Sequence, residues 1–292
     1  MGTAPGLTET VLYDTLMNYL VSMARTVEGA MNRALDSLVG LQSPATSSLP
    51  GEVFLLEPRI NEMEIVIDEH AIRLLRRGSF TDDEMRLIVA ALKITNDLER
   101  IGDIAVNVAE RVISLRELPG AELPEELAPM AAAVRTMVSK SLGALIFRNV
   151  DMATQVLESD DIVDQYRDRI FDRLLQGMTQ EPAAVSPGLQ FILATRHLER
   201  IADHATNIAE DIIFWVRGLD VRHGRGLVRP EQPADIEISR AQAAAGVTPG
   251  GSMSGAGASA GTGAGAGTAS SASLGTTSGT NSAAPAIENF HR

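Results

Sequence analysis

The sequence predicts an all-helical protein made of two tandem three-helix units, and three observations carry that prediction. Apolar residues recur at helical spacing over long stretches that end at clusters of Gly, Pro and Ser. One thirteen-residue segment returns 100 residues later with nine identical positions. Hydrophobic residues make up 45% of the 292, yet aromatic residues only 4%. Ala, Leu, Ile, Val and Met must therefore fill the core, a palette that suits helix packing better than strands.

The first helix is expected over residues 7–39, where Leu12, Leu16, Tyr19, Leu20, Met23, Val27, Ala30, Met31, Ala34 and Leu38 recur at helical spacing. Gly40 and the Ser43–Ser48 segment break it. A second helix is expected from about Pro58 to Arg77, stopping at Gly78. Thr81 and Glu84 have the spacing of a capping box, in which each side chain satisfies an exposed backbone N–H, so a third helix starts there and runs to about Leu115. Leu118-Pro119-Gly120 closes the first unit, assigned to residues 7–118.

The second unit, residues 122–225, repeats the plan. Pro124-Glu125-Glu126 opens a helix reaching about Arg148, and Asn149 or Asp151 supplies a fresh cap. A helix follows over 160–178, then a break at Pro182–Pro187, then a helix to Val216 closed by Gly218. Residues 226–242 read as a linker. Residues 243–292 read as a disordered tail, because the 247–287 stretch has no charged residue and is almost wholly Gly, Ala, Ser and Thr. Its glycines form no phosphate loop, since no Gly-Lys-Ser/Thr follows.

Composition excludes several function classes. There is no cysteine, hence no disulfide, thiolate metal site or cysteine nucleophile. The net charge is -13 and the only lysines are Lys93 and Lys140, with arginines scattered among acids. A duplex binder needs a basic stripe, so direct nucleic-acid binding is not expected, whereas cations and basic protein surfaces are. No signal peptide and no membrane-spanning run of about 20 apolar residues is read, so a soluble cytoplasmic protein without membrane insertion is expected.

The repeated segment carries the chemistry. Leu98-Glu99-Arg100-Ile101-Gly102-Asp103-Ile104-Ala105-Val106-Asn107-Val108-Ala109-Glu110 returns as Leu198-Glu199-Arg200-Ile201-Ala202-Asp203-His204-Ala205-Thr206-Asn207-Ile208-Ala209-Glu210. The thirteen-residue windows on either side share one identity each at the same offset, Thr95 with Thr195 and Ile113 with Ile213. On a helix of about 100° per residue, Asp103 falls about 40° and Asn107 about 80° from Glu99, opposite the stripe of Leu98, Ile101, Ala105 and Val108. The oxygen-bearing stripe is therefore expected to face outward.

Two readings of it stand. It is either the acidic face of an ordinary amphipathic helix, ion-paired locally through Arg100, Arg111 and Arg200, or a site for a hard cation. Carboxylate and amide oxygens without sulfur suit magnesium, calcium, manganese or oxygen-liganded iron. Like charges at i and i+4 repel, and a cation would remove that repulsion. One helix rarely completes a coordination sphere, so partners are sought on the second helix of each unit. These are Glu64 and Asp68 in the first, and the Asp160, Asp164, Asp168, Asp172 stripe in the other. The stripe can equally be a solvated face with Arg167, Arg169 and Arg173 as counter-ions. His204 could add a nitrogen ligand, but its counterpart in the repeat is Ile104, which favours an exposed or packing histidine, and neither His70 nor His197 has a supporting pattern.

With these residues in view the chain resembles the PhoU family. The paired Leu-Glu-Arg-Ile-x-Asp blocks at 98 and 198 match that family's signature, as do Ile60-Asn61-Glu62-Met63-Glu64 ahead of Ile67-Asp68-Glu69, and Gly218 followed by Asp220-Val221-Arg222-His223. The likeness covers about residues 7–225. It implies two three-helix bundles related by pseudo-twofold symmetry, with Glu/Asp-x-x-x-Asp motifs binding metal ions or multinuclear clusters. Carried over, it nominates Glu99, Asp103, Asn107, Glu199, Asp203 and Asn207 as metal ligands, with Glu64, Asp68, Asp164 and Asp168 beside them. The metal, whether iron, zinc, manganese or magnesium, stays open. The resemblance further implies a homodimeric, non-enzymatic negative regulator of phosphate uptake and signalling that contacts a phosphate ABC transporter ATPase subunit and a sensor histidine kinase.

Two alternatives are kept. A di-iron carboxylate enzyme in a helix bundle needs inward carboxylates with Glu-x-x-His, which occurs nowhere outside the tail. A helical scaffold needs only solvated acids.

Overall fold

The computed structural model describes residues 5–222, with side chains from Tyr13 onward. The expected linker and tail, and the last three residues of the second unit, lie outside the described residues. Those described form helices and short connections, with no strand among them.

In the first unit, α1 runs Pro5–Val39, α2 Leu49–Leu75 and α3 Asp82–Glu117. The break after α1 falls where expected, at Gly40 and the Pro44–Thr46 turn. The start of α2 is a correction: it lies nine residues before the expected Pro58, which sits inside the helix. The proline that starts α2 is Pro50, in the first turn, where a missing N–H costs nothing. An interior proline costs about 3 kcal/mol. Val53 and Ile60, on either side of Pro58, are fully buried at about 1.5–3 kcal/mol each, and this packing carries the helix through. The capping box of α3 forms as the spacing predicts: Thr81 Oγ1 accepts from the Glu84 N–H at 3.3 Å, and Glu84 accepts from the Thr81 N–H at 2.7 Å.

The second unit holds α4 (Leu127–Phe147), α5 (Val150–Leu157), α6 (Asp160–Gln180) and α7 (Val185–Arg217). Of the two caps offered for α5, Asn149 is the one used, its side chain accepting from the Met152 N–H at 3.0 Å. α5 and α6 together occupy the place of α2. The chain breaks between them at Glu158 and Ser159, 100 residues beyond Pro58. Gly218 ends α7 at φ +67°, a conformation that glycine adopts without strain.

α1, α2 and α3 pack on one another, α7 packs on α4, α5 and α6, and α3 with α7 forms the most extensive helix pair in the molecule. That pair is antiparallel: Arg86 bonds the Trp215 carbonyl, Lys93 bonds Asp211, and Arg111 bonds Gln190. The repeated segments thus lie side by side, and their apolar stripes (Leu98, Ile101, Ala105 and Leu198, Ile201, Ala205) are fully buried.

α4 modifies the sequence expectation of no membrane-length segment. Its 21 residues have a mean hydropathy of 1.3, long and apolar enough to cross a bilayer by length and composition. Here half of that stretch is buried within the protein, and Arg135 ties it to Asp36 of α1 at 2.6 Å.

Candidate functional site

The nominated acids gather into two clusters, one per unit. In the first, α3 contributes Glu99 and Asp103 and α2 contributes Glu64 and Asp68. Glu99 retains only 15% side-chain exposure and Asp103 36%. The stripe is therefore sunk against α2 rather than fully outward, because helix crossing covers the flank of the acidic face next to the apolar one. Burial raises the Glu99 carboxyl above its ordinary range. The negative charges of Asp103 and Glu64, and a hydrogen bond to Asp103 that only the protonated acid can donate, push it the same way. Burial also raises Glu64, helped by Asp68 and Asp103 and opposed by Arg100. Arg100 stands 3.5 Å from both Glu99 and Asp103.

In the second cluster α7 contributes Glu199 and Asp203, and α6 contributes Asp164 and Asp160. Burial raises Asp160, with Asp203, Asp164 and Glu199 adding repulsion. Asp203 is raised by burial and by Glu199 and Asp164, and eased by His204 and Arg167. The counter-ion is Arg167, which bonds Asp164 at 2.6 Å, Asp168 at 2.9 Å and Glu199. Burial disfavours the Arg167 charge, but its bonds to Glu199 and Asp168 outweigh that and raise it.

Asp160 is the site residue that sequence alignment at the 100-residue offset missed. Its counterpart is Ile60, and the signal lay only in its place on the Asp160–Asp164–Asp168 stripe. Asp168 is exposed and held by Arg167 at the edge of the cluster. The two counter-ions also break the repeat, because Arg167 matches the buried Ile67, and Arg200, the counterpart of Arg100, makes no ion pair among the described residues.

The asparagines part from the carboxylates. Asn207 donates to Asp97 of α3 at 3.2 Å, and His204 Nδ1 lies 2.7 Å from the same oxygen. His204 is thus a packing histidine in the α3–α7 seam, paired with a buried aspartate the sequence did not single out. Asn107 is half-buried on α3, and no interaction among the described residues ties it to the first cluster.

Crowded oxygens whose charge is disfavoured suit a hard cation, which would relieve the repulsion. Among the described residues, no three acid or histidine side chains already stand as a closed ligand set. Arg100 and Arg167 serve as the counter-charges.

Comparison with known proteins agrees with this architecture. The PhoU domain model matches residues 20–112 and 127–212, one copy per unit. The phosphate-specific transport system accessory protein PhoU homolog of Pseudomonas aeruginosa is 37% identical over 232 residues, covering 78% of this chain and 92% of that protein. The crystal structure of PhoU from Pseudomonas aeruginosa superposes with a TM-score of 0.68 at 36% identity, over 72% of this chain and 99% of that one. The Streptococcus pneumoniae phosphate transport system regulatory protein PhoU shares the fold, with a TM-score of 0.65 at 22% identity over 73% and 99% of the two chains. With its helices, its internal repeat and both domain matches in agreement, the chain belongs to the PhoU family.

Proposed function

We propose that this chain is a cytoplasmic negative regulator of phosphate uptake and phosphate-starvation signalling. It works as a homodimer, without a catalytic cycle, by contact with a transporter ATPase subunit and a sensor histidine kinase. The support is similarity to phosphate transport accessory proteins over nearly their full length. The observation that carries the mechanism is the pair of carboxylate clusters, one on each bundle, partly buried except at the exposed Asp203. Glu64, Asp68, Glu99 and Asp103 would hold a cation on the first, and Asp160, Asp164, Glu199 and Asp203 on the second. Asn107, Asn207 and Asp168 stand at their margins.

A bound divalent ion or metal cluster supplies positive charge that cancels the repulsion between the acids. The chain's own residues do the rest: α2 and α6 hold carboxylates against the repeated segments, and Arg100 and Arg167 balance part of their charge, which a bound cation would change. Such a change of charge alters the face offered to a partner.

Metal content and affinity for the purified ATPase subunit, measured before and after chelation, test the reading. Binding is expected to weaken at least tenfold on metal removal and to recover on adding the metal back. Equal affinity in both states rejects metal dependence, while absence of binding in both rejects this partner.

A further inference from the structure

The face of α1 and α2 away from the carboxylate clusters carries a groove of opposite character. Its larger part has a volume of about 480 Å³ and is lined by Arg25, Arg33 and Arg59 together with Ser22, Thr26 and Leu56. It continues into a hollow of about 290 Å³ that shares Ser22 and Arg59 and is walled by Tyr19, Met63 and Val66, with Glu62 as its one carboxylate among the described residues. Tyr19 and Val66 are more than 40% exposed, an apolar rim on a charged channel. From Asn18 to Arg33 the groove follows α1 for about 22 Å, at about 1.5 Å per residue.

Three facts select an occupant. No carboxylate lines the larger part among the described residues, although the chain carries a net charge of -13. Arg33 is committed to Glu52 at 3.0 Å, but neither Arg25 nor Arg59 makes an ion pair or hydrogen bond among the described residues. On the α2 wheel Arg59 and Val66 fall about 140–160° from Glu64, so the groove is a different face from the first carboxylate cluster. Its volume is several times that of a single phosphate ion, and its length is that of a short helix.

We propose that this α1–α2 groove docks an acidic amphipathic segment of a partner protein. Carboxylates of that segment meet Arg25 and Arg59, and its apolar side rests on Leu56, Tyr19 and Val66. Elsewhere the acidic chain repels such a segment, so the groove gives both affinity and register. The proposal does not rest on metal binding.

Fluorescence anisotropy with the full chain in chelator tests it. The probe is a labelled helical peptide bearing Glu along one face and Leu along the other, and a Lys-for-Glu peptide serves as its counterpart. The acidic peptide is expected to bind, more weakly as salt is raised. Arg25→Glu and Arg59→Glu should each lower affinity about tenfold and together about a hundredfold. Arg77→Glu, an exposed change off the groove, should leave it unaltered. All variants should keep wild-type helicity, since both groove positions are exposed. Equal binding by the double variant, or by the Lys peptide, overturns the proposal. Displacement by inorganic phosphate overturns it in favour of a small-anion site. Dissociation of a homodimer by Arg25→Glu, read by sedimentation, overturns it in favour of a self-contact. Because the probe contains no transporter component, these outcomes are independent of the regulatory function.

Discussion

At the scale of single residues, the acids of the two clusters define how stability depends on pH. Glu99 and Glu64 are raised above 4.5 and Asp160 and Asp203 above 3.8, burial being the largest cause in each case. A carboxyl raised on folding binds its proton more tightly in the native state. Its contribution to stability is complete below the ordinary carboxylate value and is lost as pH climbs through the raised one. In chelator, Glu99→Gln should raise Tm at neutral pH by about 1–2 °C, the effect of relieving one like-charge pair at i, i+4. It should also flatten the rise in Tm expected as the wild type is acidified toward pH ~5. Calorimetry of both proteins across that range is the check, and parallel curves would contradict it. The internal repeat marks Glu99 and Asp103 in the sequence. Arg167 could not be assigned to their counterparts, because an arginine on an acidic stripe has several acids in reach until helix packing selects among them.

At the scale of the helix, the repeat diverges where two helices touch. Gly102 lets α2 approach α3: a Cβ there would lie 3.0 Å from Ile60 Cδ1 and 3.3 Å from Cγ2. The other unit has Ala202 and Asp160 at these positions, so the added methyl meets no isoleucine and a carboxylate joins the cluster instead. Gly102→Ala therefore gains about 1 kcal/mol of helix propensity against at least that much overpacking. Ile60→Val costs about 0.5–1.5 kcal/mol by itself but removes Cδ1. A double-mutant cycle in denaturant should show favourable coupling of about 1 kcal/mol between the two changes. Additive values would mean that Ile60 simply turns away. The same comparison explains the misplaced start of α2: a proline pattern reads as a helix start, and only the burial of Val53 and Ile60 around it shows that the helix continues.

At the scale of the whole molecule, the two units share their interior through α3 and α7. Leu198 is fully buried in that shared core. Leu198→Ala should cost about 2–5 kcal/mol, and hydrogen exchange should show protection falling in α1 as well as in α4. The variant should still melt in one transition. Separate melting of the two halves would show that the repeats fold independently in spite of their common core.

Local chemistry was enough to set the helical class, the twofold repeat, the Thr81–Glu84 cap and the shared acidic stripe of Glu99, Asp103, Glu199 and Asp203. These follow from spacing along one chain, and helical geometry turns spacing directly into a face. What tertiary structure decided is everything that needs a second helix to be in place. That includes the partial burial of the acids against α2 and α6, the recruitment of Asp160, the pairing of His204 and Asn207 with Asp97, and the gathering of Arg25, Arg33 and Arg59 between α1 and α2. Such contacts join residues about 30 to more than 100 positions apart, and no periodicity within one segment encodes the angle at which two segments cross.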